Sequence, residues 1–374
     1  MSSGLAASRA AGIPAASGQL TIRSLDARAV IAPLARPLRT ASGEIPAAPL
    51  LLIDVATEEG VTGRAYLFAY TRLMLRALKC LVEDLAPLLG GKPVAPQDRA
   101  ADCESAFRLL GRQGLLGMAL SGIDMALWDA LGRALDRPVV ALLGGSARPV
   151  PAYDSFGLID LKADAPRLEQ SLRQGFRAVK IKLGGGGLAD DLRVVREVRG
   201  ILGPDVALMV DYNQSLSAPE AIRRLQALLP YDLAWVEEPV PAEDLVGHAA
   251  VRARRLAPVQ TGENWWFAAD MARAIAAQAC DHAMPDIMKI GGVSGWLKAA
   301  ALAEAASLPV SSHIFIEASA HVLPVTPGAL WLEYLDAAGA ILQAPNQVVD
   351  GAVAARGPGL GMEWDEATVA RYAA

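Results

Sequence analysis

Eight polar residues recur along the chain, each closing a short apolar run, and their spacing narrows the choice of fold more than any other property. They are Ser155, Lys182, Asp211, Glu237, Glu263, Asp286, His313 and Glu333, separated by 27, 29, 26, 26, 23, 27 and 20 residues. Each interval fits one strand, one loop and one helix, so eight units predict an α/β chain closed as a (β/α)8 TIM-type barrel. Such barrels carry their chemistry at the C-terminal ends of the strands, which makes the eight residues a candidate ring around one mouth.

The chain before this repeat has a different style. From Gln19 to Ala56 it alternates like strands, Leu50 to Val55 is a continuous apolar run, and Glu58-Glu59-Gly60 supplies a turn before a strand near Val61 to Phe68. Thr71 to Leu135 is helical in pattern, with Ile123, Leu127, Leu131 and Leu135 on one stripe, and Pro138 and Gly144-Gly145 close it. We expect an α+β domain over residues 19–145, a barrel over 146–340, and a Gly- and Pro-punctuated segment over 341–374 that packs back on the first domain. Residues 1–18, rich in Ala, Ser and Gly, read as a disordered tail with neither a secretory signal nor a membrane anchor.

Composition removes several function classes. A chain of 374 residues that is 53% hydrophobic can bury a large core. A net charge of -5 with no basic block argues against nucleic acid as a partner. Cys80, Cys103 and Cys280 are three and widely spaced, so they predict free thiols in a reducing cytoplasm rather than a disulfide framework or zinc site.

The ring itself points to proton chemistry. Lys180 and Lys182 alternate along Ala178 to Leu183 and share one strand face. Inside a barrel mouth, two adjacent ammonium groups would make each proton easier to lose and turn a lysine into a base. Asp211, Glu237 and Glu263 end three consecutive strands, and three converging carboxylates call for a hard dication such as Mg2+ between them. Asp286 and His313 end the next two, a pair suited to general acid–base work. Glu333, among so many acids, is expected to have a raised pKa and to act as a neutral hydrogen-bond donor. His248, His282 and His321 end no predicted strand and read as structural. The Gly184 to Gly187 run lacks the Gly-Lys-Ser/Thr ending of a phosphate loop, and Ser311-Ser312 lacks a Gly-x-Ser-x-Gly elbow.

Several strings are specific enough to suggest a family. Val179-Lys180-Ile181-Lys182, Val210-Asp211-Tyr212-Asn213, Trp235-Val236-Glu237-Glu238-Pro239, Gly262-Glu263-Asn264-Trp265, Met284-Pro285-Asp286-Ile287-Met288-Lys289 and Ser311-Ser312-His313 together resemble the mandelate racemase subgroup of the enolase superfamily. The likeness runs from about Thr21 to the C-terminus and includes Tyr66 to Tyr70 and Ala152 to Ser155. It implies a modified barrel, (β/α)7β, with an N-terminal α+β capping domain completed by the C-terminal segment, and a homo-oligomer.

Carried over by position, the resemblance implies that Asp211, Glu237 and Glu263 ligate Mg2+, with Mn2+ as the alternative metal. Lys182 and the His313–Asp286 dyad would be the two acid/base catalysts, and Glu333 would donate a proton or hydrogen bond to the substrate carboxylate. Lys180 and Ser155 would hold that carboxylate, Asn213 would sit near the substrate hydroxyl, and Leu38 to Pro46 with Phe68 and Tyr70 would form an apolar lid. Leu38, Ser42, Ile45 and Ile314 depart from the pattern in that cavity. The expected activity is racemisation of mandelate or a related bulky 2-hydroxy acid through opposed bases. The alternatives are an acid-sugar dehydratase using the same ring and a non-catalytic carboxylate-binding protein.

Overall fold

The computed structural model describes residues 19–40 and 43–374. The tail expected over residues 1–18, and Ser42 of the lid, lie outside the described residues.

Three antiparallel strands come first: β1 (Ile22–Thr40), β2 (Gly43–Thr57) and β3 (Thr62–Phe68). Leu50 to Ile53 in the middle of this sheet are fully buried because β2 and β3 lie on the helix Leu115–Ala134. By length and hydropathy that helix could cross a membrane, but 78% of its apolar window is buried inside this fold. Of the expected stripe, Ile123 and Leu127 are buried, whereas Leu135 lies just past the helix end and is 60% exposed.

The chain then enters a barrel. Its wall is β4 (Val150–Leu158), β5 (Ala178–Lys182), β6 (Ala207–Asp211), β7 (Leu233–Glu237), β8 (Val259–Thr261), β9 (His282–Ala283) and β10 (Leu332–Tyr334), with β10 pairing back on β4. Neighbours along this wall pair in parallel, as strand–helix–strand units require. The expected strand before His313 is reduced to single bridges: Val310 meets Ala283 on one side and Ala329 on the other, and His313 meets Asp286. Those bridges close the ring.

After β10 the chain returns to the first sheet, which makes the architecture (β/α)7β with an N-terminal cap. Ile31 donates its N–H to the carbonyl of Tyr372 at 2.9 Å, and Trp364 Nε1 donates to Asp54 at 2.8 Å. Arg28 pairs with both Asp54 and Glu366.

Candidate active site

All five residues of β5 are buried, so Lys180 and Lys182 leave water together and need counter-charges. They find them on neighbouring strands. Parallel pairing sets Lys182 level with Asp211, and Asp211 level with Glu237. Lys182 Nζ binds Asp211, while Lys180 Nζ reaches Glu237 at 2.5 Å and Glu333 at 2.8 Å. Burial is the largest single influence and works to lower Lys182, but the charges of Asp211, Glu263 and Glu237 together outweigh it and the lysine ends above its ordinary pKa. Lys180 is raised further, against burial, by Glu237 and Glu333. The expected repulsion between the two ammonium groups is therefore overruled by carboxylates that the lysine pattern alone does not show.

Asp211, Glu237 and Glu263 each bring one carboxylate oxygen within 4.8 Å of the other two, and all three are buried. Hard oxygen donors converging at this distance fit a small dication such as Mg2+. Trp235 Nε1 donates to Glu237 at 3.2 Å and Gln260 Nε2 at 3.3 Å, and Asn213 N donates to Asp211 at 2.7 Å, so the ligand geometry is held from behind. Glu263 stands two residues past β8, after Gly262. At φ 142° with Met284 backbone 2.9 Å from where a Cβ would sit, this position accepts only glycine.

His313 lies across the mouth. Its Nδ1 is 2.7 Å from Asp286 Oδ2, and its Nε2 is 3.2 Å from Glu263 and 3.9 Å from Glu333. Burial opposes protonation, but Glu263 and the Asp286 hydrogen bond prevail and raise the imidazole to about 9. Asp286 also accepts from Met288 N at 2.6 Å, which fixes the carboxylate against the turn that follows. Ile314 and Phe315, at φ 37° and 50°, continue from His313 in a left-handed backbone that a β-branched residue resists. Ile314 N donates to Glu333 Oε2 at 2.9 Å, which helps hold that turn.

Glu333 departs from expectation. Burial would raise it, but Lys180 and His313 carry it down to about 2, so here it is an ionised acceptor rather than a neutral donor. Ser155 Oγ donates to it at 2.7 Å. Lys180 and Ser155 thus grip Glu333 and are not part of the cavity wall, whereas Lys182, Asn213, Glu263, His313 and Glu333 are.

That wall encloses about 580 Å3. The cap supplies Leu38, Ile45, Phe68 and Tyr70, the last two with ring centroids 4.9 Å apart in an edge contact, and Ile314 joins them from the barrel. Polar groups share the space: Glu44, Gln214 and Lys289. Sequence reasoning missed a hydrogen-bonded chain beside the triad. Lys289 Nζ donates to Asn264 Oδ1 at 2.7 Å, and Asn264 Nδ2 donates to Glu238 at 2.8 Å. The only signal was their place in the Glu237-Glu238, Glu263-Asn264 and Asp286 to Lys289 strings. His321 is structural as expected: its Nδ1 accepts from Val140 N at 3.2 Å, and burial pushes it down to about 4.

Residues 23–144 match the family model for the mandelate racemase/muconate lactonizing enzyme N-terminal domain, and residues 163–368 match the enolase C-terminal domain-like model. The chain belongs to the mandelate racemase/muconate lactonizing enzyme family. Within this family it is 33% identical over 336 residues to the 3,6-anhydro-alpha-L-galactonate cycloisomerase of Streptomyces coelicolor, covering 87% of this chain and 91% of that one. An enolase from Bradyrhizobium, complexed with magnesium and mandelic acid, is 57% identical with a TM-score of 0.93, covering 95% of this chain and 99% of that one. An L-talarate dehydratase from Polaromonas sp. JS666, complexed with Mg and L-glucarate, is 27% identical with a TM-score of 0.84, covering 95% and 97%. The enolase superfamily membership that the sequence strings suggested holds at the level of this family; the Streptomyces and Polaromonas relatives are named for sugar acids and the Bradyrhizobium one holds mandelic acid, so mandelate racemase itself is not singled out.

Proposed function

We propose that this chain is a Mg2+-dependent enzyme that removes the α-proton of a 2-hydroxy carboxylate and expels an oxygen substituent from the next carbon, as in dehydration of an acid sugar. The observation that carries this reading is that Lys182 and His313 line one cavity and flank the Asp211, Glu237 and Glu263 triad from either side of the ring. The sugar-acid cycloisomerase and dehydratase among the relatives support it.

Asp211, Glu237 and Glu263 would hold Mg2+, which supplies Lewis-acid polarisation of the substrate carboxylate and acidifies the α-carbon. With the carboxylate charge of Asp211, Glu237 and Glu263 drawn to the ion, Lys182 would lose its own proton more readily and, as the free amine, would take the α-proton at Nζ. The α-carbon electron pair forms the new double bond, the bond from the next carbon to oxygen breaks, and His313 Nε2 gives its proton to the departing oxygen. Asp286 accepts from Nδ1–H and stabilises the imidazolium, whose Nε2–H faces the cavity. Lys180 and Ser155 position Glu333 beside His313, and Asn213 lies where a substrate hydroxyl would bind.

A second reading is racemisation of an aromatic 2-hydroxy acid, with His313 reprotonating the α-carbon. It is favoured by the apolar surface of Leu38, Ile45, Phe68, Tyr70 and Ile314, and by the mandelic acid complex of the Bradyrhizobium relative. Proton NMR in D2O with Mg2+ separates the two. A 2-keto-3-deoxy product from an acid sugar establishes elimination; deuterium exchange with loss of optical rotation from mandelate, and no turnover of any acid sugar, replaces it with racemisation.

A further inference from the structure

Between Pro33 and Leu38 the pairing of β1 with β2 slips. Pro33 faces Ala47 and Leu38 faces Ile45, so residues 34–37 stand opposite Pro46 alone. Pro33, Pro37 and Pro46 have no N–H to give, and a ladder cannot run through them. The result is a bulge, which re-aims the side chains it carries. Arg36 leaves the cap sheet and turns onto β4 of the barrel. Its Nη2 reaches Asp154 Oδ1 at 3.0 Å and the Ser155 carbonyl at 2.6 Å, and the guanidinium lies 3.9 Å over the Phe156 ring. Asp154 is itself held by the Ser171 hydroxyl. One residue further along β4, Gly157 lets the hairpin backbone close in: a Cβ there would sit 2.6 Å from the Arg39 carbonyl oxygen and 2.8 Å from its nitrogen.

Beyond this contact the hairpin runs out over the mouth, where Leu38 and Ile45 form part of the cavity wall. The barrel side of the same contact is Ser155, whose hydroxyl holds Glu333. We propose that Arg36 is a positioning residue for substrate binding, a clasp that fixes the β1–β2 hairpin to β4 so that Leu38 and Ile45 stay in the cavity wall. This rests on the reading of that cavity as the substrate site. Exposed ion pairs contribute little, but this arginine is 27% exposed, makes two charge-assisted hydrogen bonds and stacks on a ring, which a lysine cannot reproduce. The clasp acts on affinity, because neither Lys182 nor His313 touches it.

The test uses the full chain with Mg2+ and the variants Arg36→Ala, Arg36→Lys and Gly157→Ala. Hydrogen exchange of the hairpin amides and trypsin cleavage at the exposed Arg39 report the clasp without any substrate; the Arg36–Pro37 bond resists trypsin, so removing Arg36 deletes no cleavage site. We expect Arg36→Ala to speed hairpin exchange and Arg39 cleavage, to raise KM about tenfold and to leave kcat within about twofold, the pattern of lost binding rather than lost chemistry. Arg36→Lys should resemble the alanine variant, and Gly157→Ala should move the same readouts the same way by pushing the hairpin off β4. Unchanged exchange and cleavage in Arg36→Ala, or a loosened hairpin with unchanged KM, overturns the proposal. A loosened hairpin in a chain that turns over no hydroxy acid leaves the clasp standing and refutes the assigned reaction instead.

Discussion

The two halves of the barrel mouth are built differently. Lys182, Asp211 and Glu237 end regular strands whose parallel register sets them side by side, and each is bound to a partner within the same sheet. Glu263, Asp286 and His313 stand past short strands or on single bridges, and their directions are set by turns: Gly262 at φ 142°, the Asp286 to Met288 hydrogen bond, and the left-handed Ile314 and Phe315. One half is held by the sheet ladder, the other by side-chain hydrogen bonds and strain. The ladder half should tolerate changes around it and fail only through its own charges. The turn half should be sensitive to its supports.

The largest effect should come from the ladder half. Replacing Glu237 by Gln, or removing the cation with EDTA, should lower turnover by more than about a thousandfold, because the site loses the charge that stabilises the transition state; Mg2+ titration followed by calorimetry checks that the variant has lost the ion and not the fold. Next, Lys182→Met should cost about a thousandfold and abolish α-deuterium exchange, whereas His313→Asn should cost a similar factor in product while exchange persists. Exchange surviving in Lys182→Met would assign the α-proton to another base and erase the division of labour between the halves.

A smaller loss sharpens the contrast. Asp286→Asn keeps the shape but removes the charge behind His313, and about 10- to 100-fold in kcat should go with it. Gln260→Leu, an equivalent support behind Glu237, should cost less, since the sheet still holds that ligand. Steady-state kinetics with both variants decides whether the turn half is the more dependent one.

The smallest effect concerns stability. Glu317 is buried in the first turn of the helix Ile316–Val322, just after the strained turn, and accepts a hydrogen bond from Tyr66 at 2.8 Å; burial, and then Asp336, raise it to about 7. A carboxyl raised on folding contributes stability that is complete below its unfolded pKa and fades as pH climbs through the folded value. Relative to Glu317→Gln, the wild-type chain should therefore lose stability, of the order of 1–3 kcal/mol, between about pH 4.5 and 7. Urea melts of both proteins across that range test it, and parallel curves would remove Glu317 from the account of the turn.

The same division explains what can be read from the chain. The period of about 26 residues marks the barrel because each unit must cross it once, and Lys182, Asp211 and Glu237 fall on that period at true strand ends. Glu263, Asp286 and His313 are visible by identity, but their turns are not, since a dihedral angle leaves little trace in residue type. The ionised state of Glu333 was hidden because it depends on Lys180 coming within 2.8 Å. Glu238, Asn264 and Lys289 were hidden because their hydrogen bonds join separate strand ends. Arg36 was the least visible of all, its partner Asp154 lying 118 residues away.

Apart from Glu44 on the hairpin, every acid, base and candidate metal ligand in the mouth stands on the barrel, while the outer wall comes from a hairpin pinned on by an arginine. Substitutions between Leu38 and Ile45 can therefore retune which substrates fit while the proton-transfer apparatus stays as it is. Such a chain is well placed to diversify: drift in a few hairpin positions would sample new side-chain preferences, and the proposed reaction at the α-carbon would survive each trial.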